Sequence, residues 1–228
     1  MRYPGGKGRC YRQIIAQMPA HTTYIETHLG GGAVLRAKRP AARTIGLDVD
    51  ATVFAAWRDR TDVELLQIDA CTYLRTFPFT GQELVYADPP YLASTRRRSR
   101  VYRHDYTDAQ HVELLALLTA LPCAAMISGY PSSLYDDMLA HWRRIEFVGD
   151  SHVGPRTEVL WLNFPAPATL HDHSFLGRNF REREAVRRRR STILNRIDGL
   201  DGQERQAVFE HLAIAHGDAL RRALRREP

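Results

Sequence analysis

Asp88-Pro89-Pro90-Tyr91 is the stretch of this 228-residue chain with the clearest capacity for chemistry. Leu84-Val85-Tyr86-Ala87 runs into it as a buried strand would. The two prolines fix an extended turn and remove two N–H donors. The strand end therefore offers a carboxylate and carbonyls, all acceptors, beside an aromatic ring. A planar group carrying an amino function, such as a nucleobase, suits such a site. A plain Pro-Pro turn explains the tetrapeptide equally well, so the rest of the chain has to decide.

Further acids stand at the ends of other apolar runs. Thr23 to Thr27 reads as a first strand, followed by His28-Leu29-Gly30-Gly31-Gly32 and a helix from Ala33 to Lys38. Strand, glycine turn and helix open a Rossmann-like unit, in which a ligand can lie against bare backbone. Leu35 stands where G-x-G-x-x-G requires its third glycine, which argues against a nicotinamide dinucleotide. Thr44 to Leu47 is a second strand ending at Asp48, 18 residues after Gly30, a position suited to a ribose diol. Asp48 could instead cap the helix 51–58, although Asp50 fits that cap better. Leu65 to Ile68 is a third strand, and Asp69 after it can meet an adenine amino group or cap the turn 70–74. Three such acids, Asp48, Asp69 and Asp88, mark the ligand edge of a parallel sheet.

The elements that must position these residues follow in order. At the start, Arg2-Tyr3-Pro4-Gly5-Gly6-Lys7 has the glycines of a close-approach turn, with Lys7 for an anion and Tyr3 for stacking. Beyond the Asp88 strand, Arg96, Arg97, Arg98, Arg100 and Arg103 are interleaved with Tyr102, His104 and Tyr106, a mixture suited to phosphates and bases. Thr107 and Gln110 form a capping box for a helix whose apolar face is Val112, Leu114, Leu115, Leu117, Leu118 and Leu121. A fifth strand, Ala124 to Ser128, and a helix, Leu134 to Trp142, follow. Arg144 to Val148 and Val159 to Phe164 alternate like a closing hairpin, with Gly149 to Glu158 as a polar link. The chain is expected to divide into a catalytic domain, 1–165, and a linker with a basic helical extension, 166–228. His171-Asp172-His173 reads as linker rather than metal site. The extension has a helix from Phe180 to Ile197 carrying Arg187 to Arg190, and a second from Gln203 to Arg226. These helices could touch DNA or pack as a hairpin with a solvated basic side.

Composition narrows the class. The chain is 44% hydrophobic and 25% charged, as globular domains are. Its net charge of +6 and pI near 9.5 favour a polyanionic partner. No apolar run approaches a membrane span, and the N-terminus lacks a signal-peptide core. Cys10, Cys71 and Cys123 are widely spaced and read as reduced thiols of a cytoplasmic protein.

Together the Arg-Tyr-Pro-Gly-Gly-Lys start, the Glu26-x-x-x-Gly-Gly-Gly-Ala-Val segment and Asp88-Pro89-Pro90-Tyr91 resemble the Dam-like adenine-N6-specific DNA methyltransferases, most closely those of phages and prophages. Ile127-Ser128-Gly129-Tyr130 and Pro155-Arg156-Thr157-Glu158-Val159-Leu160-Trp161 extend the similarity, which spans residues 1–165. The resemblance implies an α/β, Rossmann-like class I methyltransferase fold: a mostly parallel seven-stranded sheet with a closing antiparallel hairpin and, here, a C-terminal helical appendage. It implies S-adenosylmethionine as cofactor and no metal, with Tyr3, Lys7, Glu26, Gly30, Gly32, Asp48, Asp69 and Asp88 around the cofactor. Asp88, Pro89, Pro90 and Tyr91 would be catalytic. Double-stranded DNA is the implied partner, no membrane is, and a restriction endonuclease is compatible as a further one.

Two departures from the pattern stand out. Thr27-His28 occupies the place of a usual Pro-Phe. No target-recognition insert precedes Asp88, since 20 residues separate Asp48 from Asp69 and 18 separate Asp69 from Asp88. DNA contact is therefore expected from Arg96, Arg97, Arg98, Arg100, Arg103 and His104. Methylation of RNA or a protein glutamine, and a catalytically silent DNA-binding relative, are the alternative readings.

Overall fold

The computed structural model describes residues 7–8, 10–96, 103–151 and 154–224, with side chains outside 149–155. The chain divides into two compact units, Met1–His173 and Ser174–Pro228.

The first unit is built on strands β1 (Thr23–Glu26), β2 (Arg43–Asp48), β3 (Glu64–Gln67), β4 (Glu83–Ala87), β5 (Ala124–Gly129), β6 (Arg143–Ser151) and β7 (Gly154–Leu162). Helices α1 (Tyr11–Ile15), α2 (Ala33–Ala37), α3 (Ala51–Trp57), α4 (Ala70–Thr76), α5 (Asp108–Ala120) and α6 (Ser133–Met138) connect them. The strands form one sheet in the order β3-β2-β1-β4-β5-β7-β6. The β1, β2, β3, β4 and β5 strands run parallel, and the β6–β7 hairpin closes the edge with β7 antiparallel to β5. This is the expected Rossmann-like layout, a mostly parallel seven-stranded sheet with a closing antiparallel hairpin.

Burial explains why the middle strands read as continuous apolar runs. All five residues of β4 are buried, as strands covered on both faces must be. Ile25, Ile45, Leu47, Val85 and Ala87 pack with Leu114, Leu115 and Leu118 of α5. On α5 the buried set is His111, Leu114, Leu115 and Leu118. Val112, expected in the core, is 42% exposed. At 3.6 residues per turn, His111 shares the face of 114, 115 and 118, whereas Val112 lies off it. The polar stretch Gly149–Glu158, expected as a link, instead carries the hairpin ladder out to Ser151↔Gly154. An edge hairpin can be polar because half its residues face water.

Register brings the acids to one edge. Glu26 lies level with Gly46 on one side and with Tyr86 on the other, so β1, β2 and β4 end together. Successive strands leave β1 toward β2 and β3, and the chain then crosses to β4 on the opposite side. That reversal, between β1 and β4, opens a crevice at the carboxyl ends. Residues after Phe164 also belong to this unit. Leu170 bridges Pro19, His171 stacks on His21 at 3.8 Å, and buried Asp172 accepts a hydrogen bond from the Arg39 N–H at 2.9 Å.

The second unit is a pair of helices, α7 (Phe180–Asp198) and α8 (Gly202–Leu224). Asn179 caps α7 by accepting from the Glu182 N–H, and Asp201 accepts from the Gln203 and Glu204 N–H groups. Neither helix has a buried residue. His216, at φ −134°, kinks α8.

Candidate active site

The crevice is lined by Lys7, Glu26, His28, Gly30, Gly31, Gly32, Asp48, Asp88, Pro90, His104 and Tyr106, among others, and holds about 760 Å³ including its mouth. The β1 strand ends in Glu26, and the glycine loop follows. Gly30 and Gly32 have φ of 47° and 59°. Glycine is required at 32, because a Cβ there would lie 2.1 Å from the Trp57 ring. Trp57, buried on α3, donates its indole N–H to the Gly30 carbonyl at 3.0 Å. Asp48 fixes the loop from the other side. Its two carboxylate oxygens accept from the Gly30 N–H at 2.8 Å and the Asp50 N–H at 2.9 Å. Burial raises the Asp48 pKa despite these two bonds.

The remaining strand-end acids divide their roles. Asp50 caps α3 through the Thr52 N–H, and Asp69 caps α4 through the Thr72 N–H. Glu26 is only 3% exposed and accepts the Tyr24 hydroxyl at 2.8 Å. Burial pushes its pKa up to about 8, partly offset by that hydrogen bond and reinforced by Asp88. At neutral pH Glu26 is therefore mostly protonated.

Asp88 follows β4 and is held from behind. Its Oδ1 accepts from the Lys7 ammonium at 2.6 Å and from the Ser128 hydroxyl at 2.7 Å. The Tyr86 hydroxyl lies 3.0 Å from Ser128 Oγ and can donate to it, completing a buried relay to Asp88. The Oδ2 atom has no hydrogen-bond partner among the described residues. Lys7 is 4% exposed. Burial alone would lower its pKa, but Asp88, Tyr86 and Glu158 raise it well above the ordinary lysine value. The ammonium and the Ser128 hydroxyl both donate to Oδ1, which fixes the orientation of the carboxyl group.

Sequence reasoning missed Glu158. This β7 residue is 9% exposed, and its Oε2 accepts the Tyr91 hydroxyl at 3.0 Å while lying 3.7 Å from the Lys7 ammonium. Tyr91, 5% exposed, also has Lys7 over its ring at 4.7 Å. The signal was an acid leading directly into the apolar run Val159–Leu162, where only a charged partner makes burial tolerable. Ser128, within an otherwise apolar strand, was a weaker one.

The departure at Thr27-His28 has a structural answer. His28 lies within 2.9 Å of the Thr27 hydroxyl on one side and of the Tyr106 hydroxyl on the other. Its ring also meets Tyr106 edge-on at 5.3 Å. Burial lowers its pKa to about 3, so the imidazole is neutral and fills the wall as an uncharged aromatic would.

Of the residues expected on DNA, Arg96, Arg103 and His104 are described, and they differ in setting. The Arg96 side chain is 5% exposed and pairs with Asp105 at 2.9 Å, which makes it a brace for its loop. His104 lines the crevice. Arg103 is 69% exposed and lies 3.8 Å from Asp50. Arg97, Arg98, Arg100 and, at the N-terminus, Tyr3 lie outside the described residues. Among the described residues no cluster of three or more His, Cys, Asp or Glu could hold a metal ion, and no helix is long and apolar enough to cross a membrane.

No family model and no curated protein matches the chain. Solved structures do resemble it in fold. The 23S rRNA methyltransferase ErmE aligns at 13% identity with a TM-score of 0.48, over 88% of this chain and 91% of that one. A precorrin 8W decarboxylase of Methanobacterium thermoautotrophicum aligns at 10% identity and 0.48, over 72% and 94%. A dimethyladenosine transferase of Plasmodium falciparum aligns at 12% identity and 0.46, over 71% and 62%.

Proposed function

We propose that this chain transfers a methyl group from S-adenosylmethionine to the N6 amino group of adenine in double-stranded DNA, taking the base out of the helix. The observation that carries the reading is Asp88, whose Oδ1 is taken by Lys7 and Ser128 while Oδ2 has no partner among the described residues, in the lining of the crevice.

The crevice fits a cofactor bearing cationic groups. Asp48 and Asp88 line it, a protonated Glu26 adds a polar neutral group, and the glycine loop lets a ligand lie against backbone. Asp48 retains lone pairs for ribose hydroxyls beyond its two backbone bonds. When bound, S-adenosylmethionine supplies an electrophilic methyl on a sulfonium.

The protein's part is positioning. The lone pair of adenine N6 is delocalised into the ring, so the amine is a poor nucleophile. Asp88 Oδ2 and a carbonyl of the Pro89 turn can accept both N6 hydrogens. This favours a more tetrahedral nitrogen with its lone pair directed away from the acceptors, and hence an in-line attack. The nitrogen loses a proton after attack, so Asp88 need not be a strong base. Tyr91, buried and fixed through its hydroxyl by Glu158, anchors the end of the Asp88-Pro89-Pro90 turn.

The test is transfer of labelled methyl to duplex DNA, RNA and protein acceptors, with the modified product identified after digestion. N6-methyladenine from DNA is expected. In D88A the rate should fall by about 10²–10³, with cofactor binding retained within a few-fold. Label in RNA or glutamine would reassign the substrate. DNA binding without any transfer would leave a silent relative.

A further inference from the structure

A second hollow is lined in part by Tyr130, whose ring meets Tyr91, and it has a different chemical character. It is lined by Ser94, Thr95, Tyr130, Pro131, Arg156 and Thr157 and holds about 620 Å³ including its open side. No carboxylate lines it, whereas three line the crevice.

Its geometry follows from the β7 strand. Side chains two apart on a strand share a face, so Arg156 and Glu158 project together. Glu158 binds the Tyr91 hydroxyl. The Arg156 guanidinium lies over the Tyr130 ring at 4.7 Å and donates one hydrogen bond, at 3.2 Å, to the Thr95 carbonyl. Tyr130 in turn meets Tyr91 edge-on at 4.5 Å. Arg156 is thus anchored on one side by a ring and on another by a carbonyl. Its remaining donors have no carboxylate or other hydrogen-bond partner among the described residues. The Ser94 and Thr157 hydroxyls are exposed and likewise make no hydrogen bond there. A fork-shaped cation stacked on an aromatic ring, beside two hydroxyls, is a seat for a phosphate.

We propose that this hollow binds a backbone phosphate adjoining the nucleotide to be methylated, with Arg156 as the residue that positions it. The inference rests on the reading of a nucleic-acid acceptor. The crevice then takes the cationic methyl donor and the donor-lined hollow takes the anionic acceptor strand, with the Tyr91–Tyr130 contact linking the hollow to the Asp88 turn. Such a contact fixes the register of the strand without reading its sequence.

The experiment uses the full-length protein and measures methylation and nucleic-acid affinity across a salt series. R156Q should raise KM for the acceptor about tenfold. It should also reduce the slope of log affinity against log salt by about 0.9, one phosphate's share on a duplex, with cofactor affinity unchanged. R156K keeps the charge without the fork, so it should keep the slope while raising KM. R144Q, at a residue paired with Asp136 and Glu146, should leave the slope unchanged. An independent arm neutralises the substrate: wild-type protein should lose the same factor on a duplex with a methylphosphonate at one phosphate flanking the target. That arm stands even if R156Q fails to fold. A wild-type enzyme that methylates nucleic acid but responds neither to R156Q nor to either flanking methylphosphonate overturns the phosphate seat and leaves the methyltransferase reading intact. A wild-type protein that methylates no nucleic acid overturns both.

Discussion

Lys7 carries a buried ammonium between Asp88 and Glu158, and the two carboxylates have different uses. Asp88 has a second oxygen with no hydrogen-bond partner among the described residues, while Glu158 accepts the Tyr91 hydroxyl. Cys10 joins the cluster from behind, with its Sγ 3.8 Å from Glu158, and burial pushes its thiol pKa up, so it acts as an inert neighbour. The role assigned to Glu158 predicts coupling. E158Q keeps an acceptor for the Tyr91 hydroxyl but removes a charge facing Lys7, and Y91F removes the hydroxyl. Each should lower kcat with little effect on the KM for cofactor. The double variant should be clearly less impaired than the product of the two, as expected for residues joined by a hydrogen bond. Multiplicative losses in steady-state kinetics would mean that Glu158 acts independently of Tyr91. The spacing of Asp88, Pro89, Pro90 and Tyr91 was legible because local sequence dictates a strand end. The Lys7–Asp88–Ser128 arrangement was not, since its members meet only after β4 and β5 pair and Lys7, 81 residues away in sequence, reaches Asp88.

The glycine loop and the wall beside it act as elements. G32A places a side chain at φ 59° against the rigid Trp57 ring, so both backbone and packing resist it. It should destabilise by about 1–3 kcal/mol or more and weaken cofactor binding, visible as a lower Tm that cofactor no longer restores. An unchanged Tm would show that the loop can relax away from α3. His28 has a pH signature. Its imidazole is neutral in the folded chain down to about pH 3 but titrates near 6.5 when unfolded. The unfolded state therefore takes up the proton first. Stability is full above about pH 6.5 and is lost as pH falls from there toward 3, by at most about 1.4 kcal/mol per pH unit. In urea unfolding, H28F should lose less stability than wild type between pH 7 and 5. His21 and His111, also held neutral by burial, would supply the loss that remains. Equal losses in both proteins would remove His28 from the acid response.

At the scale of the molecule, charge and core are segregated. Residues 174–228 carry thirteen arginines against eight acids, a net +5 of the chain's +6. Arg187 to Arg190 on α7 are all exposed. Among the described residues every buried hydrophobic side chain lies between Cys10 and Leu162, within the first unit. Ending the chain after His173 should therefore leave a folded protein that binds cofactor with little change in Tm. Its affinity for nucleic acid should fall and its salt slope should flatten by about 3–4 if the four-arginine run meets phosphates. An unchanged slope would place the electrostatic contacts elsewhere and leave the second unit without that role.

The sequence by itself determined the elements and their order. Apolar runs ending in Asp48 and Asp88, the glycines after Glu26 and the Thr107–Gln110 capping box are local signals, and they specified a mostly parallel sheet with its ligand edge. It also fixed Asp50 as a helix cap. Tertiary structure alone decided which charges oppose one another. Glu158 and Ser128 reach Asp88 and Tyr91 only through strand pairing, Arg96 turns inward because Asp105 meets it, and His28 takes the place of an apolar wall because burial removes its charge. Those outcomes depend on distance and desolvation across the sheet, quantities that no local run of residues encodes.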